Sequence, residues 1–183
     1  AGVLTVCSDG TAFSVNDAGT FVLSGLTLIN RNDTASPRVG VDVTGWGETV
    51  VIDCVISGYM AGIVAGGTLR IDGSVIEDNV GNSGIRAFGT SIITDSVIRN
   101  NLGSDAGGLY VSGHTTIVNS LIYGNEATGG GGGLCVSSLG EMVLTNTAVV
   151  GNRGDGAITL QGPGALGLTR EVHNTVVALN DSS

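Results

Sequence analysis

The stretch Asp95-Ser96-Val97-Ile98-Arg99-Asn100-Asn101, with Gly108-Leu109-Tyr110-Val111 behind it, returns in altered form along the whole chain. Placing Ile98 under its counterparts aligns Val6, Leu28, Ile56, Ile76, Ile122, Val149 and Val177, at intervals of 20 to 28 residues. Three residues beyond each aliphatic stand Asp9, Arg31, Tyr59, Asn79, Asn101, Asn125, Asn152 and Asn180, a column that ends in five asparagines. Self-similarity at such a period marks a repeat architecture, because each unit is too small to bury its own apolar face.

Two more short β-favouring runs complete each repeat. The second reads Phe13-Ser14-Val15, Val41-Asp42-Val43, Ile63-Val64-Ala65, Ile85-Arg86-Ala87, Leu109-Tyr110-Val111, Leu134-Cys135-Val136 and Ile158-Thr159-Leu160. Gly40, Gly62, Gly84, Gly108 and Gly133 stand immediately before five of these. A third run, as in Thr90-Ser91-Ile92-Ile93-Thr94 or Glu141-Met142-Val143-Leu144-Thr145, leads to a two-residue corner. Those corners read Asp53-Cys54, Gly73-Ser74, Asp95-Ser96, Asn119-Ser120, Asn146-Thr147 and Asn174-Thr175. Corner Asn, Asp and Gly tolerate left-handed backbone, and alternation such as Leu109 in, Tyr110 out, Val111 in suits a wall with one buried face.

Such units are stable only when stacked, each strand pairing in parallel with its counterpart one coil on at about 4.8 Å. No helical spacing is sustained over a window of about 11 residues, and a sandwich would not explain residues matching at one phase. The predicted fold is all-β: a right-handed, single-stranded parallel β-helix of about seven coils, with three short strands in each. Residues 1–183 are expected to be one domain, a segment of a longer solenoid. Asn79, Asn101, Asn125, Asn152 and Asn180 are expected to stack at one corner and satisfy buried backbone groups.

Ile98-Arg99-Asn100-Asn101 with Gly107-Gly108-Leu109, and Ile122-Tyr123-Gly124-Asn125 with Gly132-Gly133-Leu134, give the chain a family resemblance. They resemble the GGA and FxxN repeats of polymorphic outer-membrane and similar surface proteins, within the right-handed, pectin-lyase-like β-helices. The resemblance spans nearly the whole chain and implies a fold; such β-helices host lyases, hydrolases, adhesins and tail spikes alike.

Composition narrows the chemistry. The 183 residues hold 32 Gly and 2 Pro, and 16 acidic against 7 basic residues, for a net charge of -9. All the cations are arginine, so lysine Schiff-base chemistry and a Gly-Lys phosphate loop are excluded. The acidic balance argues against a nucleic-acid partner. No apolar run approaches the roughly 18 residues of a membrane helix, which predicts no membrane insertion by this segment. Residues 1–5 show neither the basic start nor the apolar stretch of a signal peptide. Cys7, Cys54 and Cys135 fit neither a disulfide framework nor a zinc site, and are read as small buried residues.

Carboxylates for acid–base work would gather on the outward column of the second strands: Ser14, Asp42, Val64, Arg86, Tyr110, Cys135 and Thr159. Asp42, Arg86 and Tyr110 are its one candidate catalytic or sugar-binding constellation. A hydrolase needs two carboxyls at a set distance, and a lyase needs a base, typically with a cation for the substrate acid. Asp53 and Asp95, with Gly73 between them, would stand about 9–10 Å apart, too far to share a metal ion. Residues 129–136 lack the Asp of the nonapeptide calcium repeat. Gly162-Pro163-Gly164-Ala165-Leu166-Gly167 matches the dinucleotide fingerprint literally, but no helix follows and a wide loop is expected. No cofactor or metal is predicted.

His114 and His173 have no ligand-spaced neighbour and are read as solvated or structural. The sequons Asn32-Asp33-Thr34 and Asn180-Asp181-Ser182 matter only in a eukaryotic secretory source, and the asparagine column already accounts for Asn180. Thr20, Thr68, Thr90 and Thr169 share a phase, but Glu48, His114 and Glu141 interrupt it, against an ice-binding array.

The functional expectation is a structural or adhesive module of an extracellular or cell-surface protein, a stiff rod presenting variable loops at 32–38, 101–106 and 126–132. The alternative is a polysaccharide lyase or glycoside hydrolase whose missing parts lie outside the segment. Because the chain opens and closes at the same point of the coil, its expected partners are further β-helix coils or another copy at the open ends. Glycans or a host or cell-surface protein are the other expected partners.

Overall fold

The computed structural model describes residues 4–8, 10–16, 18–30, 38–162, 168–178 and 180–182. Asp9, Arg31, the sequon at Asn32, and most of the segments at 32–38 and 162–167 lie outside the described residues. The described chain is a parallel β-helix in which three sheets run its length, without helix.

The first sheet stacks Leu4–Ser8, Leu26–Asn30, Val55–Ser57, Val75–Glu77, Val97–Arg99, Leu121–Tyr123, Ala148–Val150 and Val176–Ala178. Its register pairs Val6, Leu28, Ile56, Ile76, Ile98, Ile122, Val149 and Val177 in one column. The second stacks Phe13–Ser14, Val39–Val43, Ala61–Ala65, Ser83–Ala87, Leu109–Val111, Gly131–Val136 and Gly156–Leu160. The third stacks Thr20–Ser24, Glu48–Ile52, Thr68–Asp72, Ser91–Thr94, His114–Val118, Glu141–Thr145 and Arg170–His173. The phase read from the sequence is the register of all three sheets.

A fourth, short sheet was not foreseen. Leu102–Gly103, Glu126–Ala127, Arg153–Gly154 and Asp181–Ser182 pair in parallel just beyond the asparagine corner. The segments at 101–106 and 126–132, expected as free loops, are therefore partly built into the frame. Their strands are only two residues long and sit in segments of unequal length, so no periodicity betrays them.

Inside, Leu28, Ile56, Ile76, Ile98, Ile122 and Val149 of the first sheet meet Val41, Ile63, Ile85, Leu109 and Leu134 of the second and Val51, Ile71, Ile93, Ile117 and Leu144 of the third; all these side chains are buried. The core is one continuous cluster along the axis, which is how stacking supplies the burial that a single coil lacks.

Both tight corners use one backbone device. Asp53, Gly73, Asp95, Asn119, Asn146 and Asn174 have positive φ where the third sheet turns into the first. Gly58, Asp78, Asn100, Gly124 and Gly151 do the same just after the first sheet. In each case the next residue points inward. At the second of these corners it is the asparagine column: Asn125 Oδ1 accepts from the backbone N of Asn101 at 3.0 Å and from Asn101 Nδ2 at 2.9 Å. Asn125 Nδ2 donates to Ile98 O and to Asn152 Oδ1, both at 3.0 Å. The same pattern links Asn79 to Asn101 and Asn152 to Asn180. The column ends on Tyr59, whose backbone N donates to Asn79 Oδ1 at 3.0 Å.

Two glycine columns make the close stacking possible. A Cβ on Gly62 would lie 2.6 Å from Gly84 O and 3.0 Å from Asn79 Nδ2; on Gly108 it would lie 2.5 Å from Gly133 O. The glycines noted before the second strands thus clear space for the asparagines. The other column, Gly67, Gly89 and Gly113 before the third strands, meets backbone carbonyls of the preceding coil, where any Cβ would collide.

Candidate functional site

Parallel register fixes the outward column of the second sheet as Ser14, Asp42, Val64, Arg86, Tyr110, Cys135 and Thr159, in the order read from the sequence. Arg86 and Tyr110 are neighbours, and Asp42 stands two coils from Arg86. The Arg86 guanidinium carbon lies 4.9 Å from the Tyr110 ring centroid and 5.6 Å from that of Phe88. Its Nη1 reaches Asp105 Oδ2 at 3.5 Å. Arg86 is thus held by two ring faces and a carboxylate, contacts worth about 0.5–1 kcal/mol each where partly exposed. Asp42 Oδ1 is buried without a hydrogen-bond partner among the described residues.

Cys135 occupies an outward position yet is fully buried. Burial pushes its thiol pKa up, opposed by a hydrogen bond with the Gly131 backbone. Cys54 is buried too, and burial likewise raises its thiol, against backbone hydrogen bonds that include Ile52. Both thiols are free and disfavour the reactive thiolate.

The turns between the second and third sheets carry residues that the sequence reading passed over. Trp46 is 89% exposed, Leu139 67% and Phe88 44%. A shallow pocket of about 270 Å³ opens among Thr44, Trp46, Gly66 and Phe88. A signal was available: the chain's one tryptophan sits between Gly45 and Gly47, in a turn where no core position could claim it.

Both histidines are solvent-exposed, and each has a carboxylate beside it. Coil stacking sets His114 Nδ1 against Glu141 Oε2, and His173 Nε2 lies 2.9 Å from Glu171 Oε2. Glu141 is 27 residues from His114 in sequence but adjacent in register, a neighbour that sequence spacing hides. Another surface cluster joins Arg99 Nε to Glu77 Oε2 at 2.6 Å and Arg99 Nη1 to the Tyr123 hydroxyl at 2.8 Å. These hydrogen bonds, that with Tyr123 first, raise the guanidinium pKa further. Among the described residues no three His, Cys, Asp or Glu side chains gather as metal ligands.

The architecture defines the chain as a parallel β-helix solenoid protein. Comparison with protein-family models, curated proteins and solved structures finds no match.

Proposed function

We propose that the chain is a structural and adhesive module of an extracellular or cell-surface protein, a stiff rod that presents its turns to glycans or to a cell-surface protein. One observation carries this reading: three of the large exposed apolar side chains, Trp46, Phe88 and Leu139, project from turns on the same edge, between the second and third sheets. Rigid frames with exposed aromatics on their turns suit recognition, because ring faces gain contact area at little entropic cost. The alternative, a polysaccharide lyase or glycoside hydrolase, draws on Asp42, Arg86 and Tyr110 sharing one outward column. Against it, Arg86 is already engaged by Asp105, Phe88 and Tyr110.

The test is binding of the chain to a glycan array and to intact cells. The Trp46→Ala/Leu139→Ala double variant should lower binding by at least about tenfold, as loss of exposed anchors does, with its melting temperature unchanged. Undiminished binding by that variant would reject the edge as the adhesive surface. Depolymerisation of an acidic glycan, abolished by Arg86→Ala, would establish the enzyme instead.

A further inference from the structure

On the edge between the second and third sheets, Thr44, Gly66 and Phe88 form one column: Gly66 N donates to Val43 O and Phe88 N to Ala65 O, each one coil back. Thr44 and Phe88 are therefore two coils apart, about 10 Å, and the residue between them has no side chain. A Cβ on Gly66 would lie 2.5 Å from Thr44 O, so this step stays bare unless backbone moves. Trp46 comes from the turn that Thr44 opens. That turn, 44–47, has four residues where the next, 66–67, has two. Register sets Glu48 beside Thr68, so the extra pair is Gly45-Trp46. The longer turn carries the indole out to 89% exposure at the rim of the bare step, where Trp46 and Phe88 line one pocket of about 270 Å³.

The two walls are held differently. Phe88 is backed by Tyr110, one coil further from Trp46, with ring centroids 6.2 Å apart, and by the Arg86 guanidinium at 5.6 Å. Trp46 has no stacking partner among the described residues. A fixed ring therefore faces an indole that gains its second contact from a ligand.

The lining selects the ligand's chemistry. No ionised side chain lines the pocket. An anion would meet a chain of net charge -9 whose Arg86, behind Phe88, already reaches Asp105. A cation would gain from the rings but would share Phe88 with the Arg86 guanidinium. A wholly apolar side chain would cover the Thr44 hydroxyl and the Trp46 indole N–H without pairing them. The Thr44 hydroxyl donates to Asn16 Oδ1 at 2.9 Å, so toward a ligand it accepts, while the indole N–H donates. An uncharged ring meets all of these conditions when it has apolar faces for the aromatic walls and hydroxyls at its rim for one acceptor and one donor. That ring is a pyranose. Resting on the reading of this edge as the adhesive surface, we propose that the pocket between Trp46 and Phe88 binds one neutral hexopyranose residue of a glycan.

Trp46 is the chain's one tryptophan, so its fluorescence reports on this pocket alone. The full chain is titrated with the methyl glycosides of glucose, mannose and galactose and with their neutral oligosaccharides. At least one should shift the emission saturably with a Kd near about 1 mM, the range for so small a ligand. Phe88→Ala should weaken that affinity by about tenfold or more, and Phe88→Tyr, which keeps the ring, should stay within about threefold of the wild type. Thr44→Val, which removes the acceptor and keeps the shape, should weaken it by about threefold to tenfold. Leu139 stands four coils from Trp46, about 19 Å, so Leu139→Ala should leave it unchanged. The matching uronide and choline should each bind at least about tenfold more weakly than the neutral sugar. Circular dichroism confirms that each variant is folded. No saturable shift with any neutral sugar up to about 100 mM, full affinity in Phe88→Ala, or a preference for the uronide or choline would each overturn the proposal. Cell attachment lost in the Trp46→Ala/Leu139→Ala variant, without any sugar-induced shift, keeps the adhesive edge and overturns the sugar site. A sugar-induced shift lost in Phe88→Ala, with no attachment to cells, does the reverse.

Discussion

Where the third sheet turns into the first, a residue of positive φ is followed by Cys54, Ser74, Ser96, Ser120, Thr147 or Thr175; where the first sheet ends, the same backbone device is followed by Tyr59 or by the asparagines. Both corners face one problem, an inward-turned backbone N–H that needs an acceptor in a water-free place. The hydroxyl corner meets it with two or three bonds per side chain. Ser96 Oγ accepts from the backbone N of Ser74 at 3.1 Å and donates to Thr94 O at 2.6 Å, two residues back in its own coil. The amide corner makes three to five bonds per side chain and ties three coils together: Asn125, with four, bonds to Asn101 and Ile98 on one side and Asn152 on the other. The hydroxyl column links neighbouring coils mainly through one backbone N–H each; the amide column adds side-chain to side-chain bonds that weld them.

That difference sets the largest expected effect. Asn125→Leu removes two donors and an acceptor that serves two groups, all buried. At about 1–3 kcal/mol for each buried group left unpaired, the loss should reach about 3–5 kcal/mol in urea unfolding. A loss below about 1 kcal/mol would mean that water or backbone shifts repair the corner, and the welding account would fail.

Next comes the space the amide column needs. In Gly108→Ala the new Cβ would stand 2.5 Å from Gly133 O and 3.2 Å from Asn125 Nδ2. Overpacking of this kind costs about 1–3 kcal/mol. Combined with Asn125→Leu the two losses should largely add, since the closer clash, with Gly133 O, is untouched by the asparagine; only the part owed to the 3.2 Å approach to Asn125 Nδ2 is shared. A double-variant loss no larger than that of Asn125→Leu alone would show that the glycine serves only the asparagine column.

Ser96→Ala probes the hydroxyl corner. Only the Ser74 N–H loses its acceptor, because Thr94 O still accepts from Gly73 N at 3.2 Å. About 1 kcal/mol is expected, read from the same unfolding curves. A loss equal to that of Asn125→Leu would make the two corners equivalent and break the comparison.

The corners differed in legibility as much as in bonding. Five asparagines at one phase have no local explanation, so their column announced a ladder. Ser74, Ser96, Ser120, Thr147 and Thr175 are no less regular, but serine in a turn already has a sufficient reason to be there, which hid the second ladder. The glycines before the third strands, Gly47, Gly67, Gly89 and Gly113, were masked in the same way by their commonness in turns. Of the candidate site, parallel register made the neighbours along the second-sheet column readable, so Arg86 beside Tyr110 was foreseen. Contacts across the column, Arg86 with Asp105 and with Phe88, depend on how turns fold sideways, and no periodicity encodes that.

The smallest effect concerns the residue that opens the hydroxyl column. Cys54 stands where later coils have serine or threonine. Its Sγ lies 3.2 Å from Ile52 O, in the geometry of the Ser96 hydroxyl on Thr94 O, and its backbone N donates to Ser74 Oγ at 3.1 Å. Burial raises its thiol pKa because a thiolate there would lose its hydration. A pKa raised in the folded state gives stability that is fully present below the unfolded value, near 8.5 for a free thiol, and lost as pH rises through the folded value. Stability should therefore be flat in this respect up to about pH 8 and then fall by at most about 1.4 kcal/mol per pH unit for one thiol. Cys54→Ser keeps a hydroxyl in the column and removes the ionisable group. Urea unfolding at about pH 7.5 and pH 9.5 should show the variant losing less stability across the interval than the wild type. Cys135, raised by burial as well, leaves a residual slope that a Cys135→Ala change should reduce further. Identical slopes for the wild type and Cys54→Ser would show that the corner accommodates a thiolate, and that the hydroxyl column is open enough to admit water where the amide column is not.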